Sequence, residues 1–322
     1  MNQITQTVVA LAGGVGGAKL ADGLAQVLHD RLTVVVNTGD DFEHLGLHIS
    51  PDLDTVMYTL AGIADPVQGW GLAGESWAFM DQISHLGGTD WFRLGDRDLA
   101  THVIRTSRLR GGETLTEVTA DLCDRLAIAA RVLPMTNDVV RTMVHSGDRV
   151  LGFQDYFVRL RCDVPVTRLS YRGAEAARIS PDITGMDGAT APSAVIICPS
   201  NPYLTIDPIL AVPGMRQWLR GLGVPIIAVS PIVGGAAIKG PAAKIMHEIG
   251  VAASATTVAE HYRGLISGLV IDHVDRPLCA AIEATGIAVK VTQTVMRSAA
   301  DRADLARDCL SFAAAFKEAD RR

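Results

Sequence analysis

Aromatic residues make up only 5% of this 322-residue chain and charged residues only 20%, against 48% hydrophobic. Little charge with so much apolar side chain excludes a disordered chain, which buries too little apolar surface to offset the entropy of ordering. No triplet, heptad or longer repeat runs through the sequence, which excludes collagen-like, coiled-coil and solenoid designs. Basic residues are not in excess either: 29 Lys+Arg against 35 Asp+Glu leave a net charge of −6. Nucleic acid is therefore not an expected partner, because it demands a basic face to displace counterions. A small anionic ligand needs only a local cluster of donors. The 5 cysteines (Cys123, Cys162, Cys198, Cys279, Cys309) form no C-x-x-C pair, so buried thiols in a reducing compartment and a cytoplasmic location are expected. The start of the chain has no basic segment ahead of its apolar run, and no secretory signal is expected. An uncharged stretch, Gly221 to Ile238, is long enough to raise the question of a membrane span. Pro225, Pro231 and its glycines break it into a buried strand and a loop, so no span is expected.

What is present is best read in the first forty residues. Thr7–Leu11 is a short apolar run that stops at Ala12-Gly13-Gly14-Val15-Gly16-Gly17. Leu20, Leu24, Val27 and Leu28 then recur at helical spacing, and Thr33–Val36 is a second apolar run. Strand, glycine turn, helix and strand make a βαβ unit with parallel strands. Ala194–Cys198, Pro225–Val229 and Leu269–Ile271 are continuous apolar runs, as expected of strands buried on both faces. The predicted fold is α/β: one domain over 1–322, three-layered and Rossmann-like, with a mostly parallel sheet. About 56–133 forms a mainly helical insertion or cap, because strand signals fade there. A closing helix begins at Ser298, with Asp301 three residues on and Leu305, Cys309, Phe312 and Phe316 as its buried stripe.

In an open parallel sheet, ligands sit beyond the carboxyl ends of the strands, so the loops after these runs should gather at one edge. The turn from Gly13 to Lys19 leads into a helix whose free amides and positive dipole end suit phosphate. It is neither a dinucleotide fingerprint nor a Walker loop: Lys19 stands where the third glycine belongs, and no Ser or Thr follows it. Asp40, Asp41, Asp52 and Asp54 lie within fifteen residues, and such carboxylates repel unless a cation sits between them, which points to Mg2+. Asp52 and Asp54, two apart, would face the same way in an extended segment. A helix opening near Asp98 would put Asp98 and His102 at i,i+4 with Arg105 one turn on, and leave Arg97 free to bind an anion. Lys19, Arg97, Arg105, Lys239 and Lys244 are the candidate anion binders. Trp70, Trp77, Trp91 and Phe92 form either a flat-ring platform or ordinary packing. His44 and His48 lack the residues of a zinc motif, and no G-x-S-x-G turn is present.

Together with Pro51-Asp52-Leu53-Asp54-Thr55, Leu94–His102, Phe153-Gln154-Asp155-Tyr156-Phe157, Pro199-Ser200-Asn201-Pro202 and Ser230–Ala242, the glycine turn and Asn37-Thr38-Gly39-Asp40-Asp41 resemble the motif set of the 2-phospho-L-lactate transferase family, in order from about Val8 to Asp275. The resemblance implies an Mg2+-dependent transferase in coenzyme F(420) biosynthesis. Such an enzyme moves a phosphorylated three-carbon acid (lactyl, enolpyruvyl or glyceryl) from a guanosine diphosphate-linked donor to the terminal ribityl hydroxyl of the deazaflavin Fo, releasing GMP. It also implies a homodimer, with Asp54 and Arg97 as the residues that meet the deazaflavin. The substrate-binding set expected on this basis is Gly13, Gly14, Gly16, Gly17, Lys19, Asn37, Thr38, Asp54, Arg97, Ser200, Asn201, Ser230, Gly234 and Gly235, with Mg2+ on Asp40, Asp41, Asp52 and Asp54. Asn137 and Thr205 depart from the family pattern, each keeping a polar side chain. The alternatives are a non-catalytic nucleotide-sugar-binding regulator of the same fold and, from the βαβ unit alone, a nicotinamide oxidoreductase.

Overall fold

The structure, a computed structural model, describes residues 7–186 and 191–319. The chain opens with β1 (Thr7–Ala12), α1 (Gly14–Leu28) and β2 (Leu32–Val36). A hairpin of β3 (Phe42–His44) and β4 (Leu47–Ile49) follows, then α2 (Pro51–Leu60), α3 (Ala78–His85), α4 (Asp98–Arg110), α5 (Leu115–Arg125) and β5 (Arg131–Pro134). β6 (Arg141–Ser146), β7 (Arg149–Gly152) and β8 (Arg168–Arg172) form a small antiparallel sheet in the order β7-β6-β8. The second half contributes β9 (Pro192–Ile197), β10 (Ile226–Val229), a short hairpin of β11 (Ile232–Val233) and β12 (Ala236–Ala237), β13 (Gly268–Asp272) and β14 (Ala288–Thr292). It closes with a helix over Ala299–Ala319.

The central sheet has seven strands in the order β14-β13-β10-β9-β1-β2-β5. Every neighbouring pair in it is parallel. Along β1 the side chains alternate as the strand period demands. Val8, Ala10 and Ala12 join the apolar layer under α1, α2 and the closing helix, while Val9 and Leu11 join the layer on the other face. Leu20, Leu24 and Leu28 form the buried stripe of α1, and Leu305 and Cys309 that of the closing helix. Ser298 and Asp301 bond each other's amides reciprocally at the start of that helix. The uncharged stretch around residue 230 is β10 and the following hairpin, and no helix among the described residues is long and apolar enough to cross a membrane.

The topology itself nominates a site. From β1 the chain moves one way to β2 and β5, and β9 starts the other half on the opposite side of β1. The strand order therefore reverses between β1 and β9, and a crevice opens beyond their carboxyl ends. The antiparallel sheet and the 42–49 hairpin are not expected from the sequence: Arg, His and Ser interrupt the apolar pattern of the sheet strands, and the hairpin strands are only three residues long. The predicted helical stretch contains α3, α4 and α5, but its last residues belong to β5, an edge strand of the central sheet.

Candidate active site

Two loops meet at the reversal point, and their packing explains the glycines. Gly14 has φ +61, the left-handed region that favours glycine. A methyl on Gly16 would lie 2.5 Å from the Pro199 carbonyl oxygen, and one on Gly17 would lie 2.4 Å from Ser200 Oγ. These two glycines therefore let α1 seat against the Pro199–Asn201 loop, where Ser200 Oγ donates to Gly13 O at 2.9 Å. At Gly13 a methyl would lie 2.3 Å from Asp52 Oδ2, and Asp52 Oδ1 accepts from the Gly14 amide at 2.7 Å. An internal carboxylate thus stands at the amide end of α1.

Asp52 and Asp54 do not share a face. Pro51 occupies the first helical position of α2, where its missing N–H costs nothing, so both acids lie in the first turn of a helix. Residues two apart on a helix diverge by about 200°. Asp52 points to α1 and to Asn37, whose Nδ2 donates to Asp52 Oδ2 at 2.9 Å. Asp54 points to α4: Arg105 Nη1 donates to Asp54 Oδ2 at 3.1 Å, and Nη2 makes a close second bond to Oδ1. His102 Nε2 lies 3.3 Å from Asp98 Oδ2 and its Nδ1 3.7 Å from Asp54 Oδ2, while Tyr58 donates to Asp98 at 2.6 Å.

These groups surround a cavity of about 500 Å3. Of the expected residues it is lined by Gly13, Gly14, Gly16, Lys19, Asp40, Asp52 and Asp54, and across the crevice by Ser200, Asn201 and Ser230. Asn201 Oδ1 caps the turn that follows it, accepting from the amides of Tyr203 and Leu204, whereas its buried Nδ2 has no partner. Lys19 and Lys239 both line the cavity and donate to main-chain carbonyls, of Met296 and Gln68 respectively.

Other expected residues lie elsewhere. Asn37 and Thr38 are buried behind the cavity, and Asn37 acts through Asp52. Asp41 points into the 42–49 hairpin side, bonded by Ser50 Oγ at 2.9 Å and His48 Nε2 at 3.1 Å. Gly17 serves packing, as above. Gly234 and Gly235, both at positive φ, form the two-residue turn of the β11–β12 hairpin, and the Gly234 amide is taken by Asp275 at 3.1 Å. It is the next segment, Ile238–Ala242, that reaches the cavity. Arg97 is exposed, with Nη1 donating to Ala73 O at 2.7 Å, and it does not line the cavity; Arg93 does. Arg105 is fully buried on Asp54 instead of free for an anion. Of the aromatic group, Trp70 and Phe92 line the cavity, Trp77 lies under Arg93 and Trp91 packs against His44. Asn137 holds the start of α5 through Thr116, while Thr205 lines the cavity.

The lining also includes Phe153, Phe157 and Thr294–Met296. The last segment follows β14, so the strand-end rule would have found it had Ala288–Thr292, with a lysine at its centre, read as a sheet strand.

The electrostatics separate the acids into two groups. Burial pushes Asp52 up to about 6 against the opposing bonds from Asn37 and Gly14, and burial, then the Asp52 charge, lifts Asp40 well above the usual carboxylate range. Asp40 Oδ1 is buried with no hydrogen-bond partner. Burial also raises Asp54, but there the Arg105 guanidinium opposes it. Burial alone would weaken the charge of Arg105, and the Asp54 carboxylate more than restores it. Asp54, Asp98 and His102 bring possible ligand atoms within 4.8 Å of one another, so a metal could also be held there. The Asp54 side already has an internal cation, whereas Asp40 and Asp52 have no ion pair among the described residues and Asp40 Oδ1 has no partner, so that pair could hold a divalent ion.

That difference has a measurable sign. Asp52 binds its proton more tightly folded than unfolded, so its contribution favours the fold below about pH 4 and is lost as pH rises through about 6. Were a divalent ion such as Mg2+ held by the ionised pair, it would offset this loss. We expect the rise in Tm on adding Mg2+ to be larger at pH 7.5 than at pH 5, and to vanish in Asp52→Asn, as read by calorimetry.

A parallel α/β sheet with a crevice at its reversal point brings a helix amide end, two lysines and buried acids into one cavity, a setting that suits an anionic ligand. Residues 8–305 match the family described as 2-phospho-L-lactate transferase CofD. The chain belongs to that family, and is a transferase. It is 42% identical over 319 residues to a phosphoenolpyruvate transferase of Streptomyces coelicolor, covering 97% of this chain and 99% of that protein. A phosphoenolpyruvate transferase of Thermobifida fusca is 38% identical over 327 residues, with 97% and 99% covered. Among solved structures, a member of the UPF0052 family from Bacillus halodurans superimposes with a TM-score of 0.60 at 14% identity, covering 95% of this chain and 99% of that one, which supports the fold.

Proposed function

We propose that this cavity transfers a phosphorylated three-carbon acid from a guanosine diphosphate-linked donor to the terminal ribityl hydroxyl of Fo, releasing GMP, as a step in coenzyme F(420) biosynthesis. Family membership supports the reaction class, and the relatives named phosphoenolpyruvate transferase favour the enolpyruvyl donor. The observation that carries the reading is the pairing, in one cavity, of an anion-binding edge with a buried carboxylate held by its own guanidinium. On this reading the Gly13–Gly16 backbone, Asn201 Nδ2, Lys19 and Lys239 bind the diphosphate of the donor. Asp40 and Asp52 would hold Mg2+, which when bound neutralises charge on the diphosphate. Without that ion Asp52 would repel a phosphate at the amide end of α1.

Asp54 accepts the hydrogen bond of the Fo hydroxyl and takes its proton as the new O–P bond forms and the bond from that phosphorus to the GMP oxygen breaks. Trp70 and Phe92 offer apolar ring faces to the acceptor. The chain's task is positioning and charge stabilisation, with no covalent intermediate required. Incubation with Fo, Mg2+ and each of the three donors, followed by mass analysis, should give GMP and the enolpyruvyl conjugate in greatest yield. GDP binding without any conjugate from the three donors would refute the transfer.

A further inference from the structure

We propose that Arg105 is a positioning residue for the transfer: its buried guanidinium fork fixes the carboxylate of Asp54 in the orientation that meets the acceptor hydroxyl. The inference rests on the reaction proposed above and adds a residue that touches neither substrate.

The geometry comes from two helix faces. On α4, Asp98, His102 and Arg105 recur at i, i+4 and i+7 and so share one side. On α2, Asp54 and Tyr58 are one turn apart. The two sets interlock through Arg105–Asp54, His102 between the two acids, and Tyr58–Asp98. Asp54, Tyr58, Asp98 and His102 all line the cavity, and Arg105, at 0% exposure, lies behind them. A carboxylate has about four lone-pair sites, and the fork takes one on each oxygen. That arrangement sets both the plane and the direction of the group and leaves its remaining acceptor sites for the cavity.

Stability does not explain such a pair. Charges this deeply buried can often be exchanged for apolar groups of similar volume with no loss of stability. What an apolar pair could not provide is an anionic acceptor of fixed orientation facing a cavity. A lysine would keep the charge but offer a single rotatable point of contact. Because the fork joins α4 to α2, it also ties the acid's orientation to the packing of these two helices.

The test compares Arg105→Lys, Arg105→Gln, Asp54→Asn and the double variant Asp54→Asn/Arg105→Gln with the wild-type protein. It measures kcat and the KM for Fo at saturating donor, with GDP affinity by titration calorimetry. Misplacing the acid by a fraction of a bond length should lower kcat by about 10–100-fold in Arg105→Lys, with GDP affinity unchanged. The double variant should be no slower than Asp54→Asn, since the fork acts only through that acid. Wild-type turnover retained in Arg105→Lys or Arg105→Gln would overturn the proposal. So would losses that multiply in the double variant, or a fall in GDP affinity equal to the fall in kcat, which a merely structural role would give. If Arg105→Gln does not fold, Arg105→Lys, which keeps the buried charge, decides the matter. A wild-type protein that binds GDP but forms no conjugate would instead sink the reaction on which the proposal stands.

Discussion

Asp54→Asn is expected to lower turnover with Fo by about 10²–10⁴-fold, the usual contribution of a positioned general base. GDP binding should survive, because Asp54 faces α4 and not the amide end of α1. The isosteric amide no longer accepts the hydroxyl proton, and it also turns an N–H2 group toward the Arg105 fork. Removing one partner of a buried ion pair costs about 3–5 kcal/mol because the other charge is left unpaired. The variant should therefore unfold at a lower temperature as well as turn over more slowly. Measuring GMP release in a single turnover, well below the unfolding midpoint of the variant and with enzyme in excess over donor, separates the two effects. A turnover equal to that of the wild-type protein would remove Asp54 from the chemistry.

Gly16→Ala should cost far more than Gly17→Ala, although both add one methyl to the first turn of the same helix. At Gly16 the methyl would meet the Pro199 main-chain carbonyl, which moves only if the whole loop moves. At Gly17 it would meet the Ser200 hydroxyl, a side-chain group that can turn away at the cost of its bond to Gly13 O. Overpacking costs about 1–3 kcal/mol, against a gain of up to about 1 kcal/mol from replacing glycine with alanine in a helix. We expect Gly16→Ala to lose about 2 kcal/mol of stability and, by opening the seam between the two loops, more than tenfold in GDP affinity. Gly17→Ala should stay near neutral in stability. Chemical denaturation and calorimetric titration of GDP check both, and equal effects at the two positions would show that loop contact does not explain these glycines.

Much of the site was legible because local signals and their consequences coincide. The apolar runs that end in small and polar residues mark strand ends, and a parallel sheet brings those ends together, which places Gly13, Gly14, Gly16, Lys19, Asp40, Ser200, Asn201 and Ser230 around one cavity. The spacing of Asp98, His102 and Arg105 was enough to put them on one helix face. Elsewhere the conformation of a few residues makes the difference. Asp52 and Asp54 would share a face only in an extended segment, and they lie in a helix, so the four acids divide between two neighbourhoods. Gly234-Gly235, in the substrate-binding set that the family resemblance implies, is the turn of a hairpin. Arg97 and Arg105, both candidate anion binders by sequence, are respectively exposed outside the cavity and fully buried behind it.

The amino-acid order by itself determined the parallel α/β class, the edge of the sheet where the strand-end loops gather and the family, because periodicity and strand-end motifs are properties of short segments. Only the tertiary structure decided which carboxylates lack a cation and which already own one. That outcome depends on the fork of Arg105 reaching Asp54 across 51 positions of sequence, and burial and pairing between distant helices leave no mark on local spacing.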